Sequence, residues 1–137
     1  MATLGNHITD RIFASPQVTE RQIACLREEG ISVVVNHRPD GEEAGQPTSE
    51  SLADAAAQHG LKYVHAPVSG LPNAAAVQAT REVLDALGPD DRALFFCRSG
   101  MRSTAAWAMA ESLRGADPDE LRSLARAAGY DLDRLPL

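Results

Sequence analysis

The sequence contains little of what marks a secreted, membrane or metal-binding protein. Its two cysteines, Cys25 and Cys97, lie 72 residues apart and fit no metal-ligand spacing. No apolar run approaches the ~20 residues that a bilayer span needs, and the first ten residues lack the apolar core of a signal peptide. With only four scattered histidines, we predict no metal, no cofactor and no membrane contact. We expect a cytoplasmic protein whose thiols stay reduced.

Positive charge is also scarce. There are 13 Lys and Arg against 19 Asp and Glu, for a formal net charge of −6, and Lys62 is the single lysine. Nucleic-acid binding depends largely on neutralising phosphates, so this balance argues against a general nucleic-acid partner. A small anionic substrate stays compatible with it, because one local pocket can be positive on an acidic protein.

What the sequence does contain is an alternation of strands and helices in a chain the size of one domain, residues 1–137. β-Branched and aromatic runs predict strands over residues 11–15, 31–36, 61–68 and 92–96. Helix caps and apolar spacing predict helices over residues 20–29, 49–59, 74–87, 104–113 and 119–128.

This order predicts an α/β fold with a small, mainly parallel central sheet flanked by helices. Ligands of such sheets bind at the carboxyl ends of the strands. Cys97 follows the last predicted strand directly, so it is the first candidate for a functional residue.

Residues 97–103, CRSGMRS, join that strand to a helix. Such a turn directs backbone N–H groups inward and adds the positive end of the helix dipole, so it stabilises either a thiolate or a bound oxyanion. We therefore predict that Cys97 is a nucleophile and that Arg102 binds an oxyanion through two hydrogen bonds. The other predicted roles are a tight turn at Gly100, backbone N–H groups from Ser99 and Met101, substrate contact by Arg98, and a hydrogen bond from Ser103 to the sulfur or leaving group.

Three segments carry a resemblance to a known family: VVVNHRPDGEEAGQP (33–47), GLKYVHAPV (60–68) and FFCRSGMRS (95–103). From about Ile8 to about Gly115 the chain resembles the phosphatase-like domain of the beta-lactamase-hydrolase-like (Blh) family. The loop also resembles the active-site loops of rhodanese sulfurtransferases and of cysteine-dependent phosphatases. The resemblance implies a dual-specificity-phosphatase-like fold and either of those two activities.

In some members of that family the domain is fused to, or encoded with, a persulfide dioxygenase of the metallo-β-lactamase fold. The resemblance makes such a dioxygenase a candidate partner. This sequence itself lacks the H-x-H-x-D-H signature that such a metal site needs.

Two features favour a rhodanese-type sulfurtransferase that forms a Cys97 persulfide. The phosphatase signature is Cys-x5-Arg, whereas four residues separate Cys97 from Arg102, as is typical of rhodaneses. A phosphatase of this type also uses an acid on a loop before the cysteine, and residues 55–81 contain no carboxylate. Sulfane sulfur from thiosulfate or a persulfide needs no such acid, because sulfite or a thiolate leaves readily and a thiol can accept the sulfur.

The alternative is a tyrosine or dual-specificity phosphatase that forms a Cys97 phosphocysteine and takes its acid from Asp40, Glu42 or Glu43. A third hypothesis is a module that binds an oxyanion or a persulfide without turnover. It would bind tightly even after Cys97→Ser.

The remaining residues carry weaker predictions. Arg38 matches the N-x-R-P-D-G-E-E pattern of the resemblance, and it either orients the loop, binds the donor or forms a structural salt bridge. We expect His37, where the family pattern tends to have Leu, to be incidental and Cys25 to be a small buried hydrophobe. Residues 117–137 lie mostly outside the resemblance.

Overall fold

The computed structural model describes residues 5–137. Its strands are β1 (Asn6–His7), β2 (Ile12–Ser15), β3 (Val33–Asn36), β4 (Lys62–His65) and β5 (Ala93–Phe96). Its helices are α1 (Glu20–Leu26), α2 (Ser49–Gln58), α3 (Ala74–Ala86), α4 (Met101–Leu113) and α5 (Pro118–Ala127), and a 3-10 turn at Arg27–Glu29 extends α1. Every predicted strand and helix is present, and the short strand β1 is additional.

The sheet has the order β1-β2-β5-β3-β4. Strands β2, β5, β3 and β4 are parallel, and only β1 at the edge runs antiparallel to its neighbour. The predicted α/β fold with a mainly parallel sheet is therefore confirmed. The last strand in the chain, β5, lies in the middle of the sheet.

Helices cover both faces of the sheet, so the inner strands are buried throughout. Leu94 and Phe96 of β5 pack with α1 and α2 on one face, while Phe95 packs with α3, α4 and α5 on the other. Both phenylalanines are fully buried, and each such burial contributes about 1.5–3 kcal/mol. This packing gives the residue that follows β5 a rigid base.

The carboxyl ends of β2, β5 and β3 lie side by side. Ser15 and Asn36 both pair with Phe96 in the strand register. Beyond the strands, the Cys97 N–H donates to Ser15 O at 3.3 Å and the His37 N–H donates to Phe96 O at 2.8 Å. The residues that follow β5 and β3 are thereby brought to the same place.

Two boundaries differ from the predictions. Helix α4 begins at Met101, three residues before the predicted start, because Gly100 takes the left-handed conformation (φ 97°) as its N-cap and the helix starts at once. Strand β4 covers only Lys62–His65 of the predicted 61–68, although the Ala66 and Val68 N–H groups still donate to Asn36 O and His37 O beyond its end. None of the described helices is long and apolar enough to cross a membrane.

Candidate active site

Cys97 is buried at the carboxyl end of the central strand. Its Sγ accepts a hydrogen bond from the Gly100 N–H at 3.1 Å. Gly100 is the N-cap of α4 and has no side chain to cap the helix, so the first turn of the helix offers its dipole to the sulfur. The predicted position of Cys97, between a buried strand and a helix N-terminus, is what the structure shows.

The loop is shorter than predicted, because Met101 and the residues after it are already helical. The Met101 N–H donates to Ser99 Oγ at 3.2 Å, so this amide has a partner within the loop. The amide that bonds the sulfur is that of Gly100, whereas the amides predicted to point inward were those of Ser99 and Met101.

Arg102 lies in the first turn of α4 and is held by two acceptors. Its Nη1 and Nη2 each donate to the Glu42 carboxylate at 2.8 Å, and Nη1 also donates to Val68 O at 2.7 Å. The hydrogen bonds with Glu42 are the main reason that the pKa of Arg102 is raised, and the nearby Cys97 acts in the same direction. The guanidinium is thus fixed beside the sulfur. Both of its terminal nitrogens bond Glu42 in this structure, so the binding of a substrate oxyanion by Arg102 stays a prediction.

Arg38 holds Glu42 from the other side. Its guanidinium is 1% exposed, and its Nε donates to Glu42 Oε1 at 2.9 Å while its Nη1 donates to Gln17 Oε1 at 3.1 Å. Of the roles predicted for Arg38, this geometry shows the ion pair, and through Glu42 that pair reaches Arg102. A direct contact between Arg38 and a substrate stays a prediction.

Arg38 and Arg102 both donate hydrogen bonds to the Glu42 carboxylate and favour its ionised form. The hydrogen bond from Arg102, with a further one from Arg38, lowers the pKa of Glu42 to about 2. Glu42 is therefore ionised at neutral pH and is unsuited to donate a proton to a leaving group. Its role in this structure is to orient Arg102.

The other two acids of the same loop have partners other than Arg102. Asp40 Oδ1 accepts from the Ser49 N–H at 2.8 Å and so binds the first turn of α2. Glu43 is half-exposed and lies 3.6 Å from Nη2 of Arg98, whose own side chain is 68% exposed. Arg98 points outward, as predicted, and its contact with a substrate stays a prediction.

Ser103 is buried, and its hydroxyl lies 2.8 Å from His37 Nδ1. His37, which we expected to be incidental, is fully buried and also lies 2.9 Å from Thr80 Oγ1 on α3. The expectation for His37 is wrong, because the end of β3 directs it under the first turn of α4. Among the described residues, the hydroxyl of Ser103 forms its hydrogen bond with His37 and not with the sulfur.

The segment that follows α5 supports the loop from outside. The Tyr130 hydroxyl donates to Ser99 O at 3.3 Å and lies against the α-carbon of Gly100, where a β-carbon would sit 2.9 Å from Tyr130 Cζ. Gly100 is therefore required twice, for its positive φ and for the space that Tyr130 fills.

We expect Gly100→Ala to lower the free energy of unfolding by at least about 2 kcal/mol, since it combines a left-handed alanine with displacement of Tyr130. Gly115→Ala is the matched control, because Gly115 has φ 98° and open space around its α-carbon, so it should cost only about 1–2 kcal/mol. Urea denaturation of the two variants measures the difference. Equal losses would show that Tyr130 yields to the added methyl group.

A groove of about 190 Å³ opens beside Arg102. Leu71 and Pro72 form one wall, and residues 131–135 after α5 form the other. The lining is mainly apolar, with Arg102, Arg134 and Asp131 as its charged members. It can receive a small organic group next to the guanidinium.

The remaining candidates lie outside this cluster. His65 is exposed at the rim, and its Nε2 lies 2.9 Å from Arg38 O. Cys25 is half-buried rather than fully buried. Within residues 5–137, no group of three or more His, Cys, Asp or Glu side chains is placed to hold a metal ion.

The sheet order and the strand–loop–helix turn at Cys97 together define a structural class, the dual-specificity fold that cysteine phosphatases share. A candidate phosphatase from Neisseria meningitidis Z2491 superposes with a TM-score of 0.79 at 25% identity, over 96% of this chain and 93% of that one. Kinase associated phosphatase, solved with its catalytic site cysteine replaced by serine, superposes with a TM-score of 0.68 over 86% of this chain and 74% of that one. At 19% identity, this second likeness shows the fold alone.

Within that class, the chain belongs to the family described as beta-lactamase hydrolase-like protein, phosphatase-like domain, whose sequence model matches residues 6–114. The beta-lactamase hydrolase-like protein of Xylella fastidiosa (strain Temecula1 / ATCC 700964) is 32% identical over 129 residues, which is 93% of this chain. The match covers 30% of that relative, so the present chain spans about a third of its length. The predicted family is confirmed.

Sequence reasoning missed three members of the site: Glu42 as the partner of Arg102, His37 and Tyr130. His37 follows a buried strand at the same sheet edge as Cys97, and that position was a usable signal. For Tyr130 no signal was available, because it lies 33 residues after Cys97 and only the packing of the chain after α5 brings it to the loop.

Proposed function

We propose that this chain is a cysteine-dependent sulfurtransferase that moves sulfane sulfur through a Cys97 persulfide. The observation that carries the proposal is the state of Glu42. The paired hydrogen bonds from Arg102 keep the pKa of that carboxylate low, so Glu42 gives no proton to a leaving group. A sulfite or thiolate leaving group needs none. The four-residue spacing from Cys97 to Arg102 supports the same chemistry.

The proposed reaction has two displacements at sulfur. The Cys97 thiolate attacks the outer sulfur of thiosulfate or of an organic persulfide, an S–S bond forms at Cys97, and sulfite or the donor thiolate leaves with the bonding electron pair. An acceptor thiolate then attacks the outer sulfur of the Cys97 persulfide and releases the Cys97 thiolate. Arg102 and the Gly100 N–H hold Cys97 as the thiolate that attacks in the first step, and they stabilise the negative charge that returns to Cys97 Sγ in the second.

The groove beside Arg102 supports a donor or acceptor that carries an organic group. Its walls, which include Leu71, Leu132 and Leu135, are apolar. Such walls can contact the carbon chain of an organic donor, whereas an inorganic ion has no apolar part for them to contact. An organic persulfide would place its charged end at Arg102 and its carbon chain between those walls.

The second candidate is hydrolysis of a phosphate monoester through a Cys97 phosphocysteine. The comparisons favour it over sulfur transfer, because the family is described as phosphatase-like and the structural relatives are described as phosphatases. Its leaving oxygen would need an acid. Glu43, half-exposed at the mouth of the loop, and Asp131, in the wall of the groove, are the available carboxylates.

One experiment separates these candidates. The protein is incubated separately with thiosulfate, an organic persulfide and an aryl phosphate. The mass of the peptide that contains Cys97 is then measured by mass spectrometry. Sulfur transfer to cyanide and release of phosphate are followed in parallel. We expect a mass gain of one sulfur atom on that peptide, lost when cyanide is added. Rapid phosphate release with no sulfur on Cys97 would replace the proposal with the second candidate. Oxyanion binding that survives Cys97→Ser, with no turnover by the native protein, would overturn both.

A further inference from the structure

Three polar side chains form a chain of hydrogen bonds beneath the loop. Ser103 Oγ lies 2.8 Å from His37 Nδ1, and His37 Nε2 lies 2.9 Å from Thr80 Oγ1. Thr80 Oγ1 in turn lies 2.8 Å from Ala76 O, within α3. All three side chains are fully buried, so water does not compete for these contacts.

The number of protons determines the direction of every bond. A carbonyl oxygen can only accept, so the Thr80 hydroxyl donates to Ala76 O. Thr80 has no second proton, so in its hydrogen bond with His37 the donor must be His37 Nε2 and the acceptor Thr80 Oγ1. Burial lowers the pKa of His37 to about 3, and the charges of His65 and Arg102 act in the same direction. The imidazole is therefore neutral at physiological pH and carries that one proton only.

His37 Nδ1 then carries no proton and is an acceptor, so the Ser103 hydroxyl must donate to it. In the other tautomer His37 Nε2 carries no proton. The single hydroxyl proton of Thr80 could then serve either Ala76 O or His37 Nε2, and the other contact would have no proton. Only one arrangement places a proton in each of the three contacts. In it, the hydroxyl of Ser103 points to His37 and away from the loop.

We propose that His37 is a positioning residue that withholds the hydroxyl proton of Ser103 from Cys97, so that Ser103 presents only an acceptor to the site. Ser103 lies in the first turn of α4, and the N-cap amide of that helix bonds the sulfur. A hydroxyl that turned from His37 toward the loop would be a further donor to the thiolate. The inference rests on the proposed role of Cys97 as nucleophile. It does not depend on whether sulfur or phosphate is transferred.

The physical consequence concerns how strongly the site favours the thiolate. With Ser103 engaged, the anion is stabilised by the Gly100 N–H, the helix dipole and Arg102 alone. Replacing His37 by leucine removes the acceptor and leaves the bond from Thr80 to Ala76 O intact. The freed hydroxyl can then turn to the sulfur. Thr80→Val acts from a distance in the same direction, because it lets His37 move its proton to Nδ1 and donate to Ser103.

The test is a pH titration of the ultraviolet thiolate absorbance of Cys97 in a Cys25→Ser background, with each trace corrected by the same variant carrying Cys97→Ser. We expect His37→Leu to move the midpoint to lower pH by roughly half to one unit, and Thr80→Val to move it in the same direction. Adding Ser103→Ala to His37→Leu should reverse the shift. The titratable groups acting on His37 and Cys97, namely His65, Arg102 and Tyr130, stay unchanged throughout.

A purely structural role for His37 would lower the melting temperature and leave these midpoints in place. The proposal is overturned if neither His37→Leu nor Thr80→Val moves the midpoint. It is also overturned if Ser103→Ala raises the midpoint as much in the native background as in His37→Leu, since Ser103 would then already donate to Cys97. If the expected shifts appear while the native protein transfers neither sulfur nor phosphate, the proposed function fails and the role of His37 stands.

Discussion

Cys97→Ser is expected to abolish turnover, with a loss of at least about 10³-fold in kcat for whichever group the protein transfers. The reason is that both candidate reactions pass through a covalent bond to Cys97 Sγ. A serine hydroxyl in the same place stays protonated, because a single amide N–H and a helix dipole cannot lower its proton affinity enough. Initial rates of sulfur transfer and of phosphate release measure the effect.

The matched control is Cys25→Ser, which changes the other cysteine of the chain. Cys25 is half-buried and lies in α1. This variant should leave the rate within about twofold of the native value, because surface and half-buried substitutions away from a site act weakly. Thermal unfolding of both variants checks that the fold is retained. Full activity in Cys97→Ser would rule out covalent catalysis at this loop.

Arg102→Lys is expected to lower kcat by about 10²–10³-fold while the protein stays folded. A lysine keeps the positive charge but not the planar fork. One ammonium nitrogen would replace the two guanidinium nitrogens that bond Glu42 and Val68 O, so the paired geometry is lost. The charge would leave its fixed position beside Cys97. The lost activity would appear mainly in kcat, because negative charge grows on Cys97 Sγ when it leaves as a thiolate in the second displacement.

Arg114→Lys is the control for this variant. Arg114 lies at the other end of the same helix, where its guanidinium binds Asp85 and Glu111 on the surface, and such exposed pairs contribute little. Its variant should keep native kcat and KM. An Arg102→Lys variant with native kcat would show that a point charge suffices and that the fork held by Glu42 has no role in the reaction.

The class of the fold does not by itself decide the reaction. The chain shares its architecture with cysteine phosphatases, yet four residues separate its cysteine from its arginine, and the carboxylate bonded to that arginine is ionised at neutral pH. Functions differ on one fold through such local changes. For this protein the changes concern the proton supply of the site.

Much of the architecture was predictable because it is encoded locally. The β-branched run before Asn36 and the Leu94–Phe96 run before Cys97 can be buried only as inner strands of a parallel sheet. The caps Thr19 and Asn73 start α1 and α3 as predicted, since a side-chain oxygen satisfies the free N–H groups of the first turn wherever the helix lies. Cys97 and Arg102 follow from the same reasoning, because a strand, a tight glycine turn and a helix make an anion site from neighbouring residues.

The sequence by itself thus determined the α/β fold, the family and the placement of Cys97 and Arg102 between a strand and a helix, since each depends on contacts between residues that are close in the chain. Only the tertiary structure decided what surrounds them. Glu42 meets Arg102 across 60 residues, His37 meets Ser103 across 66, and Tyr130 meets Ser99 across 31. Such contacts arise from the strand order and from the packing of helices on the sheet, and neither the spacing nor the type of these residues marks their partners in advance.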